Sequence, residues 1–149
     1  MKIRPYIESD KNALLQLIEW NIPLYFAAEE VAEYKRYLEE ELDQYFVVED
    51  EGQLVGAGGI NVLVKEKEGR ISWDMVAPAF QGKGIGRALL LYRLGILQKI
   101  PAIDRIRVRT SQVVYPFYEK YGFVTKQIQK DFWAVGLDLY DMEFEPLKK

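Results

Sequence analysis

The sequence predicts a mixed α/β fold in which one central sheet carries helices on both faces. Two observations support this prediction. Segments that alternate as strands do and segments with helical spacing follow one another as strand, two helices, three strands, helix, strand, helix and two strands. In addition, the long helix in the second half of the chain lies between two segments that alternate as strands do. It therefore forms a right-handed strand–helix–strand unit whose two strands are parallel neighbours.

The first half of the chain supplies one strand, two helices and a three-stranded meander. Residues 2–7 alternate as a strand does. Residues 12–20 repeat apolar positions at helical spacing, and either Ser9 or Asp10 can cap that helix. Pro23 then interrupts the chain. The other elements predicted in this half are a glutamate-rich helix at 27–42 and strands at 45–50, 54–64 and 69–78.

The second half supplies the crossover helix and the last three strands. The helix is expected at 84–99, because a glycine-rich segment precedes it and Pro101 cannot continue it. A short helix at 115–122 ends at Gly122, a residue type that commonly terminates helices. The strands of this half are predicted at 104–110, 123–131 and 137–144.

Composition limits the chemistry available to the chain. Its 149 residues suit one domain, which would cover residues 1–149. The formal net charge of −3 gives no general attraction for nucleic acid or anionic lipid. Because cysteine and histidine are absent, we expect no disulfide, no thiolate chemistry and no metal site. The N-terminal segment lacks the apolar core of a signal peptide, and no apolar run approaches roughly 18 residues, so we expect a cytoplasmic protein with no membrane partner.

A glycine-rich loop precedes the long helix. Its residues 81–86 read Gln-Gly-Lys-Gly-Ile-Gly. A dinucleotide-binding fingerprint would need glycine at Arg87, and a P-loop would need Ser or Thr after Lys83, so neither motif is present. Two interpretations remain: a tight strand-to-helix turn, or a loop whose backbone amides hold a phosphate at the helix N-terminus. The loop follows the C-terminal end of a strand, where ligands of α/β sheets usually bind.

Two motifs in this chain resemble those of one family. Residues 76–90 read V-x-P-x-x-Q-G-K-G-I-G-x-x-L-L, which resembles the acyl-CoA-binding motif of the GNAT superfamily of N-acetyltransferases, matched here by Gln81, Gly84 and Gly86. Residues 117–123, Phe-Tyr-Glu-Lys-Tyr-Gly-Phe, are similar to a second element of that family. The order of the two motifs within a matching series of elements extends the resemblance over essentially the whole chain.

The resemblance implies a particular sheet and a site for acetyl-CoA. The sheet would have about seven mostly antiparallel strands, with a splayed parallel pair that ends near Val76 and Thr110 and forms a cleft. The pantetheine arm would pair with main chain around Asp74 to Val76, and the pyrophosphate would lie on the amides after Gln81. The residues implied in acetyl-CoA binding are Met75, Val76, Gln81, Gly82, Lys83, Gly84, Ile85, Gly86 and Arg87, with Ser111 or Gln112 just after the second strand.

The resemblance also implies direct attack of an amine on the thioester, with a proton donor for the departing thiolate. Tyr118 occupies the position where the family often carries that donor. A phenol near pKa 10 can do this without histidine, although Tyr118 could also simply pack its aromatic helix. Asp74 lies among apolar residues where the family usually carries an aliphatic one. It could accept the amine's proton through water, bind the ammonium charge, or form a structural ion pair.

The asparagine that many members carry after the following strand is absent, and either Ser111 or Gln112 takes its place. The acceptor side is less defined, since the residues expected to line it could equally belong to the core. They are Trp20, Tyr25, Phe26, Trp133 and Asp138.

From the resemblance we expect an enzyme that acetylates a primary amine on a small molecule or a protein terminus. The alternative hypothesis is a non-catalytic acyl-CoA-binding module. The last two strands offer an edge through which a homodimer could form.

Overall fold

Seven strands form one sheet in the computed structural model, which describes residues 1–145. They are β1 (Lys2–Pro5), β2 (Gln44–Asp50), β3 (Gln53–Leu63), β4 (Glu68–Val76), β5 (Arg105–Thr110), β6 (Phe123–Ala134) and β7 (Leu137–Phe144). Their order across the sheet is β1–β2–β3–β4–β5–β7–β6, and every neighbouring pair is antiparallel except β4 and β5. The mixed, mostly antiparallel sheet with one parallel pair is thus confirmed.

Helices cover both faces of this sheet. They are α1 (Lys11–Trp20), α2 (Glu30–Arg36), α3 (Ile85–Leu97) and α4 (Tyr115–Glu119), and α2 continues as a π-helical turn over Tyr37–Glu41. The alternation of β2 separates the two layers: Tyr45 and Val47 pack with α1 and α2, whereas Phe46 and Val48 pack with α3. The prediction of helices on both faces is therefore confirmed.

The second helix begins later than the sequence predicted. It starts at Glu30 rather than at residue 27, and its last turn widens into the π-helical segment. The Glu30 carboxylate accepts a hydrogen bond from the amide of Ala27 at 2.8 Å, which fixes the chain just before the helix. The glutamate-rich composition matched a helix over the whole range, but residues 28 and 29 form a turn before the helix, and the contact between Glu30 and Ala27 closes it.

The strands β4 and β5 separate after a short parallel ladder. Their pairing runs from Glu68 opposite Arg105 to Ile71 opposite Val108 and then stops, while β4 continues to Val76 beside β3. A β-bulge lies just beyond this point. Between the pair Gly59–Ser72 and the pair Ala57–Met75, the single residue Gly58 of β3 faces two residues of β4. Such a bulge bends and twists its strand, and β4 leaves β5 here.

Aromatic side chains fix the bulge. Trp73 has a φ of 50°, a left-handed conformation that is uncommon for a bulky residue. Its carbonyl oxygen accepts a hydrogen bond from the Tyr45 hydroxyl at 2.8 Å, and that hydroxyl is 2.8 Å from the Tyr34 hydroxyl. The Trp73 ring stacks on Phe26 with ring centroids 6.0 Å apart. The α2 layer thereby holds the strained residue in place.

Gly59→Ala tests how closely β2 approaches this part of the sheet. An added Cβ would lie 2.4 Å from a ring carbon of Tyr45 and 2.7 Å from the backbone oxygen of Gln44, which cannot move without disturbing the ladder. We expect the substitution to lower the free energy of unfolding by about 2–3 kcal/mol. Urea unfolding followed by tryptophan fluorescence measures this change.

The matched control is Gly95→Ala in α3, where an added Cβ meets nothing within 4 Å. Removing a helix-interior glycine should raise the free energy of unfolding by about 0.5–1 kcal/mol. Equal stabilities of the two variants would contradict the close strand packing.

Candidate active site

A cleft of about 910 Å³ opens where β4 and β5 diverge. One wall is formed by β4 from Arg70 to Val76, and the residues after β5, with α4, form the other. The glycine-rich loop and the face of α2 that begins at Glu30 also line the cleft. Beyond Ile71, the edge of β4 that faces β5 has no strand partner in the described residues, so its backbone groups border the cleft.

The loop at 82–87 presents backbone amides to this cleft. Gly82 and Gly84 have φ values of 77° and 82°, and a Cβ on either would meet nothing within 4 Å. Glycine is therefore required by backbone conformation rather than by packing. After Gln81, the first amide that donates to a backbone carbonyl within residues 1–145 is that of Ala88, which bonds to Gly84 at 3.0 Å. The preceding amides remain available to an anion at the start of α3.

Most residues predicted to bind acetyl-CoA line the cleft. These are Met75, Val76, Gln81, Gly82, Gly84, Ile85, Gly86, Arg87 and Ser111. Lys83 is not among the lining residues, and its ammonium lies 5.0 Å from the centre of the Phe80 ring. Gln112 also lies outside the lining, because its amide group donates to the Gly136 carbonyl at 2.6 Å and accepts from the Asp138 amide at 2.8 Å. Gln112 thereby anchors the turn between β6 and β7.

The residues predicted for the acceptor side are divided in the same way. Tyr25, Phe26 and Trp133 line the cleft, whereas Trp20 and Asp138 do not. The Tyr25 hydroxyl donates to the side-chain oxygen of Gln81 at 2.8 Å, which joins the segment before α2 to the glycine-rich loop. That contact closes one part of the cleft mouth.

Tyr118 and Asp74 contact each other at the cleft. The Tyr118 hydroxyl donates to Oδ2 of Asp74 at 2.5 Å, and both residues line the cavity. The other carboxylate oxygen of Asp74 accepts a hydrogen bond from Nη1 of Arg93. Arg93 is fully buried, and it also donates to the carbonyls of Gly59 and Leu89 at 3.0 Å each. Asp74 therefore joins the tyrosine to a buried cation.

The sequence analysis did not identify Arg93 as a site residue. The residue interrupts the buried apolar face of α3 formed by Leu89, Leu90, Leu94 and Leu97. A charge on such a face requires a partner, because burying an unpaired guanidinium is costly. The helical spacing therefore shows that Arg93 lies on a buried face and needs a partner. It does not show that the partner is Asp74.

The surroundings of Tyr118 keep its hydroxyl protonated. Burial raises the pKa of Tyr118 well above its usual value, and the negative charge of Asp74 raises it further, while Arg93 lowers it. For Arg93, burial acts to lower the pKa, but the charge and hydrogen bond of Asp74 outweigh it and leave the pKa raised. Across the neutral range, the cleft therefore contains a phenol donor and a permanent buried cation.

Comparison with known proteins identifies the family. Residues 24–146 match a family model described as an acetyltransferase (GNAT) domain. The chain belongs to the GNAT acetyltransferases. The family, fold and enzyme class that the two motifs implied are confirmed, and this class of enzyme transfers the acetyl group of acetyl-CoA to an amine.

Among residues 1–145, every helix is too short or too polar to span a lipid bilayer.

Individual relatives resemble the chain at low identity. An amino-acid acetyltransferase from Proteus mirabilis is 27% identical over 129 residues, which cover 87% of this chain but 28% of that protein. A ribosomal-protein-alanine N-acetyltransferase from Brucella melitensis has a similar structure, with 22% identity, 99% and 100% coverage and a TM-score of 0.77. An aminoglycoside 6'-N-acetyltransferase solved with coenzyme A has 15% identity, full coverage of both chains and a TM-score of 0.77. At these identities, the structural matches support the fold alone.

In this GNAT domain, Glu30 is a buried acid at the α2 end of the cleft. Burial raises its pKa to about 7, the hydrogen bond from Ala27 opposes this shift, and the charges of Glu33 and Glu29 add to it. Folded Glu30 therefore binds its proton more tightly than the unfolded chain does. Its contribution to the free energy of unfolding falls as pH rises from its ordinary pKa of 4.5 to about 7.

Glu30→Gln should remove this pH dependence while keeping an oxygen that can accept from Ala27. Relative to the variant, the wild type should lose on the order of 2–3 kcal/mol of unfolding free energy between pH 5 and pH 8. Urea unfolding at both pH values measures the difference. Glu40→Gln changes an exposed carboxylate of the same helical segment and serves as control. If both variants followed the wild-type pH profile, Glu30 would not have a raised pKa.

Proposed function

We propose that this GNAT domain transfers the acetyl group of acetyl-CoA to a primary amine of a small molecule or protein terminus, with Tyr118 as proton donor. The observation that carries the proposal is the Tyr118 hydroxyl, held by Asp74 in the cleft where β4 leaves β5. A module that only bound acyl-CoA would need the loop and the cleft but not a protonated phenol at this place.

The shape of the cleft supports binding of acetyl-CoA. The free amides at 82–87 suit a pyrophosphate, and Arg87 adds positive charge at the cleft. The open edge of β4 at Met75 and Val76 offers main-chain groups to the amides of a pantetheine arm, as an added strand would use them. Ser111 lines the opposite wall. Lys83 and Gln112, which lie outside the lining, are not required for this arrangement.

Tyr118 and Asp74 together provide a route for the proton. Acetyl-CoA supplies an activated acetyl group and a thiolate that leaves. Tyr118 donates its proton toward that thiolate, and Asp74 accepts the proton that the amine loses, directly or through water. The hydrogen bond between the two residues then returns a proton from Asp74 to Tyr118. One proton thus passes from the amine to the thiol, and both side chains end in their starting states.

Arg93 acts on this pair without contacting the amine. Its guanidinium pairs with one carboxylate oxygen of Asp74 and leaves the other oxygen to accept the Tyr118 hydroxyl, which fixes the orientation of Asp74 in the cleft. We assign Asp74 to the proton route and Arg93 to positioning.

Two further proposals concern the cellular location of the protein and its assembly into a homodimer. Use of acetyl-CoA, an intracellular metabolite, supports a cytoplasmic location, and the net negative charge gives no support to nucleic acid as a partner. The edge strand β6 exposes Val124, Ile128 and Phe132, which supports formation of a homodimer through this hairpin.

Tyr118→Phe should lower kcat by roughly 100-fold or more, because the hydroxyl that protonates the thiolate is lost. Affinity for acetyl-CoA, measured by calorimetry, should change little, since the loop and the strand edge are intact. Tyr115→Phe is the control: it lies in the same helix, stacks on Tyr140 at 4.4 Å and does not line the cleft. Unchanged turnover in Tyr118→Phe would contradict the donor assignment. Binding of acetyl-CoA by the wild type without release of thiol to any amine would instead indicate a binding module.

Gly84→Glu should abolish measurable binding of acetyl-CoA, with a loss of about 100-fold or more, because a carboxylate would occupy the amide cradle. Gly52→Glu is a matched control, since Gly52 has a φ of 78°, meets nothing within 4 Å and lies in the turn between β2 and β3. Both variants carry a similar backbone penalty of roughly 1–2 kcal/mol. Equal affinity in the two variants would show that the loop does not bind the pyrophosphate.

A further inference from the structure

Charged side chains of both signs line the part of the cleft between α2 and the sheet. The α2 side contributes Glu33, the buried Glu30, and Glu41, which lies 3.7 Å from Arg36 of the same helical segment. The sheet contributes Arg70 of β4 and Arg109 of β5. Because burial raises the pKa of Glu30 to about 7 and Arg36 offsets Glu41, Glu33 is the acid of the α2 side that has no cation partner among residues 1–145.

Arg109 differs from the other arginines of this sheet face in its pairing. Arg70 and Arg105 contact Glu68 at 2.7 and 3.4 Å, and Arg107 contacts both Glu68 and Asp141. Within residues 1–145, Arg109 has no carboxylate within 4 Å and no hydrogen-bond acceptor for its side chain. Its guanidinium instead lies 5.0 Å from the Phe132 ring centre and 5.7 Å from that of Trp133.

Two aromatic rings hold this cation but do not neutralise it. Aromatic faces orient a guanidinium while leaving its N–H donors free for a planar anion such as a carboxylate. Partial desolvation lowers the pKa of Arg109, and the charge of Arg70 lowers it further, whereas Asp141 raises it. An anion bound between Arg109 and Arg70 would relieve this repulsion.

The position of Arg109 links this cation to the reaction. Val108 is the last residue of β5 that pairs with β4, so Arg109 is the first residue beyond the point of separation. Val108 packs in the cluster beneath α3, so the alternation of the strand directs Arg109 to the opposite face, toward α2. Tyr118 and Asp74 line the same cleft.

We propose that Arg109, assisted by Arg70, binds a carboxylate of the acceptor, and that the acceptor is therefore a free amino acid. This inference rests on the proposed function and names its substrate class. The carboxylate would lie on the sheet wall, while Glu33 of α2 and Asp74 of β4 attract the ammonium group toward the cleft. Polyamines and other polycations are disfavoured because both arginines would repel them. A protein N-terminus carries a neutral amide where a free amino acid carries its carboxylate.

The test compares free L-amino acids with their C-terminal carboxamides as acceptors in a thiol-release assay with acetyl-CoA, with spermidine included as a polycation. The amide keeps the same amine and removes only the anion. We expect wild-type kcat/KM to favour the best amino acid over its own amide by at least roughly tenfold. Arg109→Gln should raise KM for that amino acid by about 10- to 100-fold, with a small change in kcat, and should leave the amide reaction unchanged.

Two further variants separate recognition from folding. Arg109→Lys keeps the charge but not the planar fork, and should restore part of the lost affinity for the amino acid. Arg105→Gln changes an arginine on the same strand and the same face, outside the cleft lining, and should behave as the wild type with both acceptors.

Three outcomes would overturn the inference. If the wild type preferred spermidine or the carboxamides, the acceptor would not be a free amino acid, although the proposed acetyltransferase activity would stand. Equal loss with acid and amide in Arg109→Gln would give Arg109 a structural role instead. If the protein bound acetyl-CoA but released no thiol with any acceptor, the proposed function would fail, and this inference with it.

Discussion

A buried guanidinium sets the arrangement of the site. Arg93 has no solvent exposure, and its charge is neutralised by Asp74, whose side chain retains 20% exposure at the cleft. An unpaired charge at this depth would be strongly destabilising, so α3 and β4 must bring the two residues together. Gly58 makes this approach possible, because a Cβ there would lie 2.5 Å from Oδ1 of Asp74 and 2.8 Å from Nη1 of Arg93. The ion pair thus requires a glycine on the neighbouring strand.

The same ion pair lies at the β-bulge that separates the parallel strands. Gly58 faces the extra residue of β4, Trp73 takes up the left-handed conformation, and β4 leaves β5 after Ile71. Tyr45 holds the carbonyl of Trp73 from the α2 side, while Arg93 holds Asp74 from α3. Opposite layers of the fold therefore fix consecutive residues. The distortion that opens the cleft also presents Asp74 to Tyr118, so the cleft and the proposed proton route have one structural origin.

The sequence allowed prediction of the parts of this site that have local signals. The order of elements along the chain and the parallel pairing of β4 and β5 follow from periodicity and one crossover, and the loop follows from glycines whose positive φ the structure requires at positions 82 and 84. The place of β7 between β5 and β6 had no such local signal. Arg93 and Asp74 are distant in sequence, and only the crossover of α3 over β4 brings them together. No pattern in the sequence predicts the positive φ of Trp73. Likewise, the sequence does not show that Ser111 lines the cleft whereas a hydrogen bond to the Gly136 carbonyl holds the Gln112 side chain outside it.

Strand separation also explains why one arginine of the sheet lacks a partner. Arg105, Arg107 and Arg109 follow one another on one face of β5, and Glu68 on the paired part of β4 contacts the first two. Beyond Ile71, β4 no longer pairs with β5 and offers no carboxylate at the level of Arg109. Asp141, which lies opposite Arg109 on β7, contacts Arg107 instead. The divergence that opens the cleft thereby also leaves Arg109 without a carboxylate on β4. The proposed donor and acceptor regions would then both depend on the same break in the parallel ladder, and a change that restored pairing there would affect both.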